Sequence, residues 1–151
     1  MDDLVRWLGA QLDEDERIAR GADPGPWKSE SLGRHDQSVI KLGAPTSTSM
    51  IQFDGSRAAA NGAHAARHDP ARVLREIDAK RKLLDDYVVT ARIRDEAAAR
   101  IKAAGDHPDS EDLETWDRAQ REAAILEGPV KLAALPCNDR PGYRAEWAPT
   151  E

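Results

Sequence analysis

The sequence is poor in the residues that define several classes of small protein, and each scarcity excludes one. A single cysteine, Cys137, cannot form an internal disulfide, so the chain is not a disulfide-stapled secreted domain. No stretch approaches the roughly 20 apolar residues that cross a bilayer. The acidic start at Met1–Asp3 is followed by no apolar run of a signal peptide. We therefore expect a cytoplasmic protein without a membrane segment.

Positive charge and aromatic residues are also scarce. The chain carries 28 acidic and 22 basic residues, which gives a formal net charge of -6, and only 5% of its residues are aromatic. A nucleic-acid binder would have a basic excess or a basic stripe, so nucleic acid is not an expected partner. With 151 residues the chain is long enough for one core. We expect a single domain over residues 1–151.

The N-terminal segment, residues 1–21, has the spacing of an amphipathic helix. Leu4, Leu8 and Leu12 recur every fourth residue and therefore lie on one helical face. Gly21 is a typical helix stop.

Residues 26–54 predict a small antiparallel sheet. Glycine and proline break any helical period here, and short runs alternate between apolar and polar residues. A first strand beginning at Trp27 is followed by two strands joined at Gly43–Ser47, which places Ile40 opposite Ile51. The sheet should have one apolar and one wet face, and because so few strands are not stable alone, it must pack on a helix.

The chain is helical again over residues 56–135. The residue before a proline avoids the helical region of backbone space, so one helix should end near His68. Asp69 and Pro70 have the residue types of an N-cap and a first helical position, and the helix that they begin should run to about Ala104.

Two apolar stripes predict an antiparallel helical hairpin in this part. The stripe of the long helix comprises Val73, Leu74, Ile77, Leu84, Val88, Ala91, Ala98 and Ile101. The last helix, capped by Ser110, has Trp116, Ala119, Ala123 and Leu126 at the same spacing. We expect the sheet to pack against this hairpin.

The end of the chain is expected to leave the helical part. Gly128 and Pro129 should kink or restart the last helix, and residues 136–151 should form an extended tail held by Tyr143 and Trp147. The predicted fold class is therefore α+β, with an N-terminal helix, a small antiparallel meander and a long C-terminal helical hairpin.

The most suggestive chemical pattern is His64, His68 and Asp69. Histidines four residues apart share a helical face and could fill two positions on a divalent metal. A zinc site needs three or four protein ligands, and the further candidates lie at no motif spacing: His35, Asp36, His107 and Cys137. Ala65 stands where a zinc protease needs glutamate, which excludes that class. The alternative is that Asp69 only caps the next helix and the histidines bind nothing.

Other candidate features point to structure rather than to chemistry. Gly25, Pro26 and Trp27 form either a ligand loop with a stacking aromatic or, as we favour, a rigid turn that places Trp27 in the helix–sheet core. No phosphate-binding loop or dinucleotide fingerprint is present. Cys137 has no neighbouring base and would need a histidine delivered by the fold. The sequence predicts no catalytic residue and requires no cofactor.

The long helix offers an interaction surface. Its mixed-charge residues are Arg75, Glu76, Asp78, Lys80, Arg81, Lys82, Asp85 and Asp86. Such a face is usually solvated, but it can also grip a partner. Its remaining apolar residues, Tyr87, Val89 and Ile93, would be the surface of a homodimer.

Three segments together resemble a known family. They are residues 1–5 with 13–16, residues 64–81 around His68-Asp69-Pro70, and residues 132–147. The chain resembles small actinobacterial and actinophage proteins that share a domain of unknown function, number 6221. Cys137 departs from the aromatic residue usual there, and Arg140 from a frequent histidine. The resemblance implies an actinomycete or its phage as host and a cytosolic location, but no reaction.

Two functions are therefore predicted. The first is a non-enzymatic protein-interaction or accessory factor that binds a protein partner or itself. The alternative is a metal- or ligand-binding protein centred on His64, His68 and Asp69, with acidic residues of the long helix completing the site.

Overall fold

The computed structural model describes residues 1–33, 36–43 and 49–149. Its elements are α1 (Asp2–Gly21), β1 (Lys28–Ser31), β2 (Gln37–Lys41), β3 (Met50–Asp54), α2 (Ala58–Arg67), α3 (Pro70–Ala104) and α4 (Ser110–Ala134). Single 3-10 turns follow at Leu135–Cys137 and Ala145–Trp147. The α+β class is confirmed, with its N-terminal helix, three-stranded antiparallel sheet and long C-terminal helices. Among the described helices, none is long and apolar enough to cross a membrane.

The chain forms two compact units, one of residues 12–78 and one of residues 1–11 with 79–151. The first unit holds the sheet, whose strands follow the order β1-β2-β3. Ile40 lies opposite Ile51, as the alternation predicted. The first strand begins at Lys28 rather than at Trp27. Of the expected turn, residues 44–47 lie outside the described part of the chain.

Helix α2 packs on the sheet inside this unit. The apolar stripes predicted the long hairpin in that place. Gly62 explains the difference, because its missing side chain lets the α2 backbone approach Ser29 and Ser38 on the sheet. Ile40 and its neighbour Val39 point to opposite faces, yet both are buried, so the sheet does not have the expected wet face at this strand.

The break between α2 and α3 lies where it was predicted. α2 ends at Arg67, and α3 begins at Pro70. Asp69 Oδ1 accepts the backbone N–H of Arg72 at 2.7 Å, the geometry of an N-cap.

In the second unit α3 and α4 form the antiparallel hairpin. Arg100 Nε donates to Asp112 Oδ1 at 2.7 Å near the link, and Tyr87 interacts electrostatically with Glu127 farther along. Asp109, not Ser110, caps α4, because the Asp109 side chain accepts the N–H of Glu111. Both residue types are good caps, so their order in the sequence left the choice open.

The apolar stripes are only partly those expected. Leu84 and Ala91 of α3 are buried, as are Ala119 and Ala123 of α4. Val88 was expected inside and is exposed, as is Trp116 of α4. α4 continues through Gly128 and Pro129 to Ala134 instead of restarting there.

The C-terminal segment differs from the expected extended tail. Its described residues contain the two 3-10 turns, and Cys137 and Trp147 are buried. Trp7 Nε1 donates to the carbonyl oxygen of Pro141 at 3.0 Å, and the Trp7 ring lies 5.5 Å from both Tyr143 and Trp147. These contacts dock the segment on α1, which explains why it does not extend into solvent.

Candidate functional site

His64 and His68 lie side by side on α2 and at its end. Their ring centroids are 4.5 Å apart, and both residues are exposed. His64 and His68 therefore share one helical face, as their spacing predicted. Two neutral imidazoles at this distance can reach one metal ion between them.

Asp69 does not complete the pair with a free carboxylate. Its Oδ1 accepts the N–H of Arg72, and its Oδ2 accepts the backbone N–H of Trp27 at 3.2 Å. A Cβ at Gly25 would lie only 2.6 Å from Asp69 Oδ2, so the Gly25–Trp27 loop closes directly onto this carboxylate. Asp69 therefore links the loop to the start of α3.

The described residues offer no larger metal-binding set. Among them, no group of three or more histidine, cysteine, aspartate and glutamate side chains could hold a metal ion. Of the further candidates, His35 lies outside the described residues. Cys137 is a free, buried thiol in the second unit.

The loop before the sheet, residues 25–27, has features of both predicted roles, the rigid turn and the ligand loop. Trp27 is half-buried, and its Nε1 donates to the carbonyl oxygen of Asp23 at 2.9 Å. Hydrogen bonds of the Trp27 backbone N–H and of its indole N–H thus fix the turn, which is what a structural role requires. The Trp27 ring nevertheless also lines an open cavity of about 390 Å³ together with Ile18 and His68.

The long helix has one face turned to solvent. We define the outward face of α3 as Lys82, Asp86, Val89, Arg92, Ile93 and Glu96. Val89 and Ile93 are 47% and 39% exposed at its centre. Lys82 pairs with Asp86, and Arg92 pairs with Glu96 at 3.7 Å. The face therefore has an apolar centre between two ion pairs.

Tyr87 was expected on this face and lies on the opposite one. It is 3% exposed, because residues two apart in a helix point in nearly opposite directions. Its spacing from Leu84 and Ala91, three residues and four, is the spacing of the buried stripe. This signal could have placed Tyr87 correctly.

The model of a family of unknown function (DUF6221) matches residues 1–149, which is nearly the whole chain. No curated protein and no solved structure matches the chain.

Proposed function

The chain belongs to this family of unknown function (DUF6221), and we propose that it is a non-enzymatic protein-interaction factor that acts as a homodimer through the outward face of α3. An actinomycete or one of its phages as host is part of the proposal, supported by the resemblance of the three segments. So is a cytoplasmic location, which the lone unpaired thiol of Cys137 supports.

One observation carries the homodimer, namely the arrangement of charge around Val89. Lys82 lies seven residues before Val89, and Glu96 lies seven residues after it. Seven residues are two helical turns, so all three side chains lie almost in line along the helix. Opposite charges thus stand at equal distances on either side of an exposed apolar residue.

A second copy that packs antiparallel complements this arrangement. With the two-fold axis at Val89, Lys82 of each copy faces Glu96 of the other, and Val89 meets Val89. A parallel pairing would instead place Lys82 on Lys82 and Glu96 on Glu96. The charges therefore favour one orientation, while the burial of Val89 supplies the attraction.

The contact area of one helical face sets the affinity. A face of a few turns lies at the small end of specific interfaces, so we expect a dissociation constant of about 10 µM. Exposed ion pairs contribute about 1 kcal/mol or less each, so the charges determine the orientation more than the affinity.

Sedimentation velocity over a concentration series tests the dimer. The wild-type chain should change from monomer to dimer over about 1 to 100 µM, and Val89→Asp should remain monomeric because it places two carboxylates at the axis. Ile125→Asp is the matched control. Ile125 is 72% exposed on α4, so this variant should dimerise like the wild type.

Charge exchange tests the antiparallel orientation. Lys82→Glu alone should weaken the dimer about tenfold by facing Glu96 of the second copy, and the double variant Lys82→Glu, Glu96→Lys should recover the wild-type constant. A wild-type chain that stays monomeric at 100 µM would refute the homodimer. A double variant no better than the single one would refute this orientation.

A second candidate function is the binding of a divalent metal, favoured by the 4.5 Å separation of the His64 and His68 rings. Asp69 is buried, and each of its two carboxylate oxygens already accepts a backbone hydrogen bond. The metal would therefore be held by two imidazoles and completed by water, as a weak site.

Zinc titration by calorimetry tests this second function. The double variant His64→Ala, His68→Ala should raise the dissociation constant for Zn²⁺ at least about tenfold, since it removes both protein ligands. His107→Ala removes an exposed histidine elsewhere and should bind zinc like the wild type. Equal zinc binding by the double variant and this control would rule out the site.

A further inference from the structure

The unit of residues 12–78 has an open cavity of about 390 Å³ lined by the end of α1, the loop before the sheet and the start of α3. Its lining is apolar apart from Asp15 and His68, and the largest apolar residues in it are Ile18, Trp27 and Val73. We call it the Trp27 cleft. Its volume lies in the range of about 300 to 1,000 Å³ that is usual for small-molecule pockets.

The Trp27 side chain is held in place before any ligand binds. Its Nε1 donates to the carbonyl oxygen of Asp23 at 2.9 Å, and the backbone N–H of Trp27 donates to Asp69 Oδ2 at 3.2 Å. The indole has no other polar atom, so the part of it that lines the cleft is carbon. A ring that is already fixed loses little entropy when a second ring stacks on it.

The Trp27 ring also has no stacking partner of its own. Among the residues that the structure describes, Trp7, Tyr143 and Trp147 contact one another and His64 contacts His68, whereas the Trp27 ring contacts no other aromatic ring. Trp27 is only half-buried. Apolar ring surface is therefore available in the cleft.

A second wall of the cleft is apolar and faces water. Ile18 is 56% exposed, although its neighbour Ala19 continues the buried face of α1. Ile18 and Trp27 thus leave apolar surface exposed on two walls of one cavity. Removing this surface from water is the favourable contribution that a ligand of matching shape gains.

The two polar lining residues leave no charge for a ligand to neutralise. Asp15 already takes part in an interaction within the chain. His68 is exposed to solvent, and its ring lies 4.5 Å from that of His64. Both groups are thus satisfied by the chain or by water, so the cleft favours an uncharged ligand.

We propose that the Trp27 cleft binds a small, uncharged, planar aromatic molecule. Such a ring stacks on the indole of Trp27, covers Ile18 and needs no counter-charge. A protein partner matches the cleft less well, because specific protein interfaces bury more than about 1,000 Å² and this cavity has room for little more than one side chain. The inference uses neither the outward face of α3 nor a metal, so it is independent of both proposed functions.

NMR titration with indole tests the proposal at single residues. The chain has four tryptophans, whose indole N–H groups give separate signals, and the variant Trp27→Phe identifies the signal of Trp27. We expect that signal to shift saturably, with a dissociation constant of about 0.1 to 1 mM for so small a ligand. Trp116, which is 38% exposed on α4, reports nonspecific stacking and should not shift. Equal shifts of the two signals, or no shift of either, would overturn the proposal.

Further probes test the class of ligand. Cyclooctanol has as many heavy atoms as indole and no charge, but its ring is saturated, so it should bind about fivefold more weakly. Tryptamine and indole-3-acetate each carry a charge and should also bind more weakly than indole. Tighter binding of either would contradict an uncharged ligand. Tighter binding of N-acetyltryptophanamide than of indole would identify a side chain of another polypeptide, and not a free molecule, as the occupant.

Two matched variants connect the binding to the cleft. Ile18→Asp places a carboxylate on its apolar wall and should raise the dissociation constant for indole at least about tenfold. Ile125→Asp makes the same change at a 72% exposed position of α4 and should leave the constant unchanged. Both side chains are largely exposed, so both variants should keep the far-UV circular dichroism of the wild type. Equal affinity of the two folded variants for indole would show that the ligand does not bind in the Trp27 cleft.

Discussion

The variant Gly62→Val is expected to lose about 3 kcal/mol of the free energy of unfolding, because α2 could no longer lie against the sheet. A Cβ on Gly62 would stand 2.6 Å from Ser38 Oγ and 2.8 Å from Ser29 Oγ, closer than a real Cβ ever approaches. The branched side chain of valine adds two more carbons at the same place. Urea denaturation followed by far-UV circular dichroism measures the loss.

The two serines cannot move away without further cost. Ser38 is 1% exposed, and its hydroxyl donates to the carbonyl oxygen of Glu30 at 3.2 Å. The same hydroxyl lies 3.1 Å from Ser29 Oγ, so the two form one small network. Rotating either group to admit a side chain would leave a buried polar atom without its partner, which costs about 1 to 3 kcal/mol.

A matched control separates this contact from helix propensity. Gly9 lies in α1, and a Cβ there would meet nothing within 4 Å. Valine is a slightly better helix former than glycine. Gly9→Val should therefore change the free energy of unfolding by less than about 0.5 kcal/mol. A similar loss in both variants would mean that the close approach at Gly62 is not the cause.

A rescue variant makes the explanation specific. Ser29→Ala with Ser38→Ala removes the two oxygens nearest to Gly62, after which the nearest remaining atom is the Ser38 Cβ at 3.4 Å. Gly62→Ala should then destabilise the wild-type background but be tolerated in the double-alanine background. The effect of Gly62→Ala on the free energy of unfolding should differ by about 1 kcal/mol or more between the two backgrounds. An equal effect in both would contradict the contact between the helix and the sheet.

The sequence was informative wherever a feature depends on residues that are close along the chain. Alternation is enough to place Ile40 opposite Ile51, and an aspartate before a proline is enough to begin α3 at Pro70. Tyr87 was also within reach, since it lies on the spacing of the buried stripe. It was grouped with the exposed apolar residues Val89 and Ile93, whereas its position in the helix decided its burial.

Features that depend on distant residues could not be predicted. Helix α2 can pack on the sheet because Gly62 has no side chain. Rules that count apolar residues do not detect a missing side chain. In the candidate site, the pairing of His64 with His68 followed from helical spacing. The engagement of Asp69 did not, because one of its donors, Trp27, stands 42 residues away.

The other large effect is expected at the C-terminal segment, where Trp147→Ala should release the chain after Pro141 from α1. The Trp147 ring lies 5.5 Å from Trp7 and 5.8 Å from Tyr143, and the residue is 7% exposed. Truncation of a buried tryptophan to alanine costs about 3 to 5 kcal/mol. The loss should be seen as a lower free energy of unfolding and as faster trypsin cleavage after Arg144.

The backbone near Gly142 explains why one ring has so large an effect. Gly142 has a positive φ of 86°, and a Cβ there would lie 3.1 Å from Trp7 Nε1. The turn therefore passes directly over Trp7, whose indole N–H it binds through Pro141. Trp147 covers the same indole ring from farther along the chain, and Arg144 stacks on Trp147 at 5.2 Å. Losing Trp147 thus removes the contacts on both sides of its ring.

Two variants decide whether the ring cluster holds this segment. Trp116→Ala removes the same side chain from an exposed site on α4, where it is 38% accessible, and should cost less than about 1 kcal/mol without faster cleavage. Tyr143→Phe keeps the ring and removes a buried hydroxyl that has no partner among the described residues, so it should not destabilise. Unchanged trypsin cleavage in Trp147→Ala would mean that the backbone contact of Pro141 with Trp7, and not the rings, docks the segment.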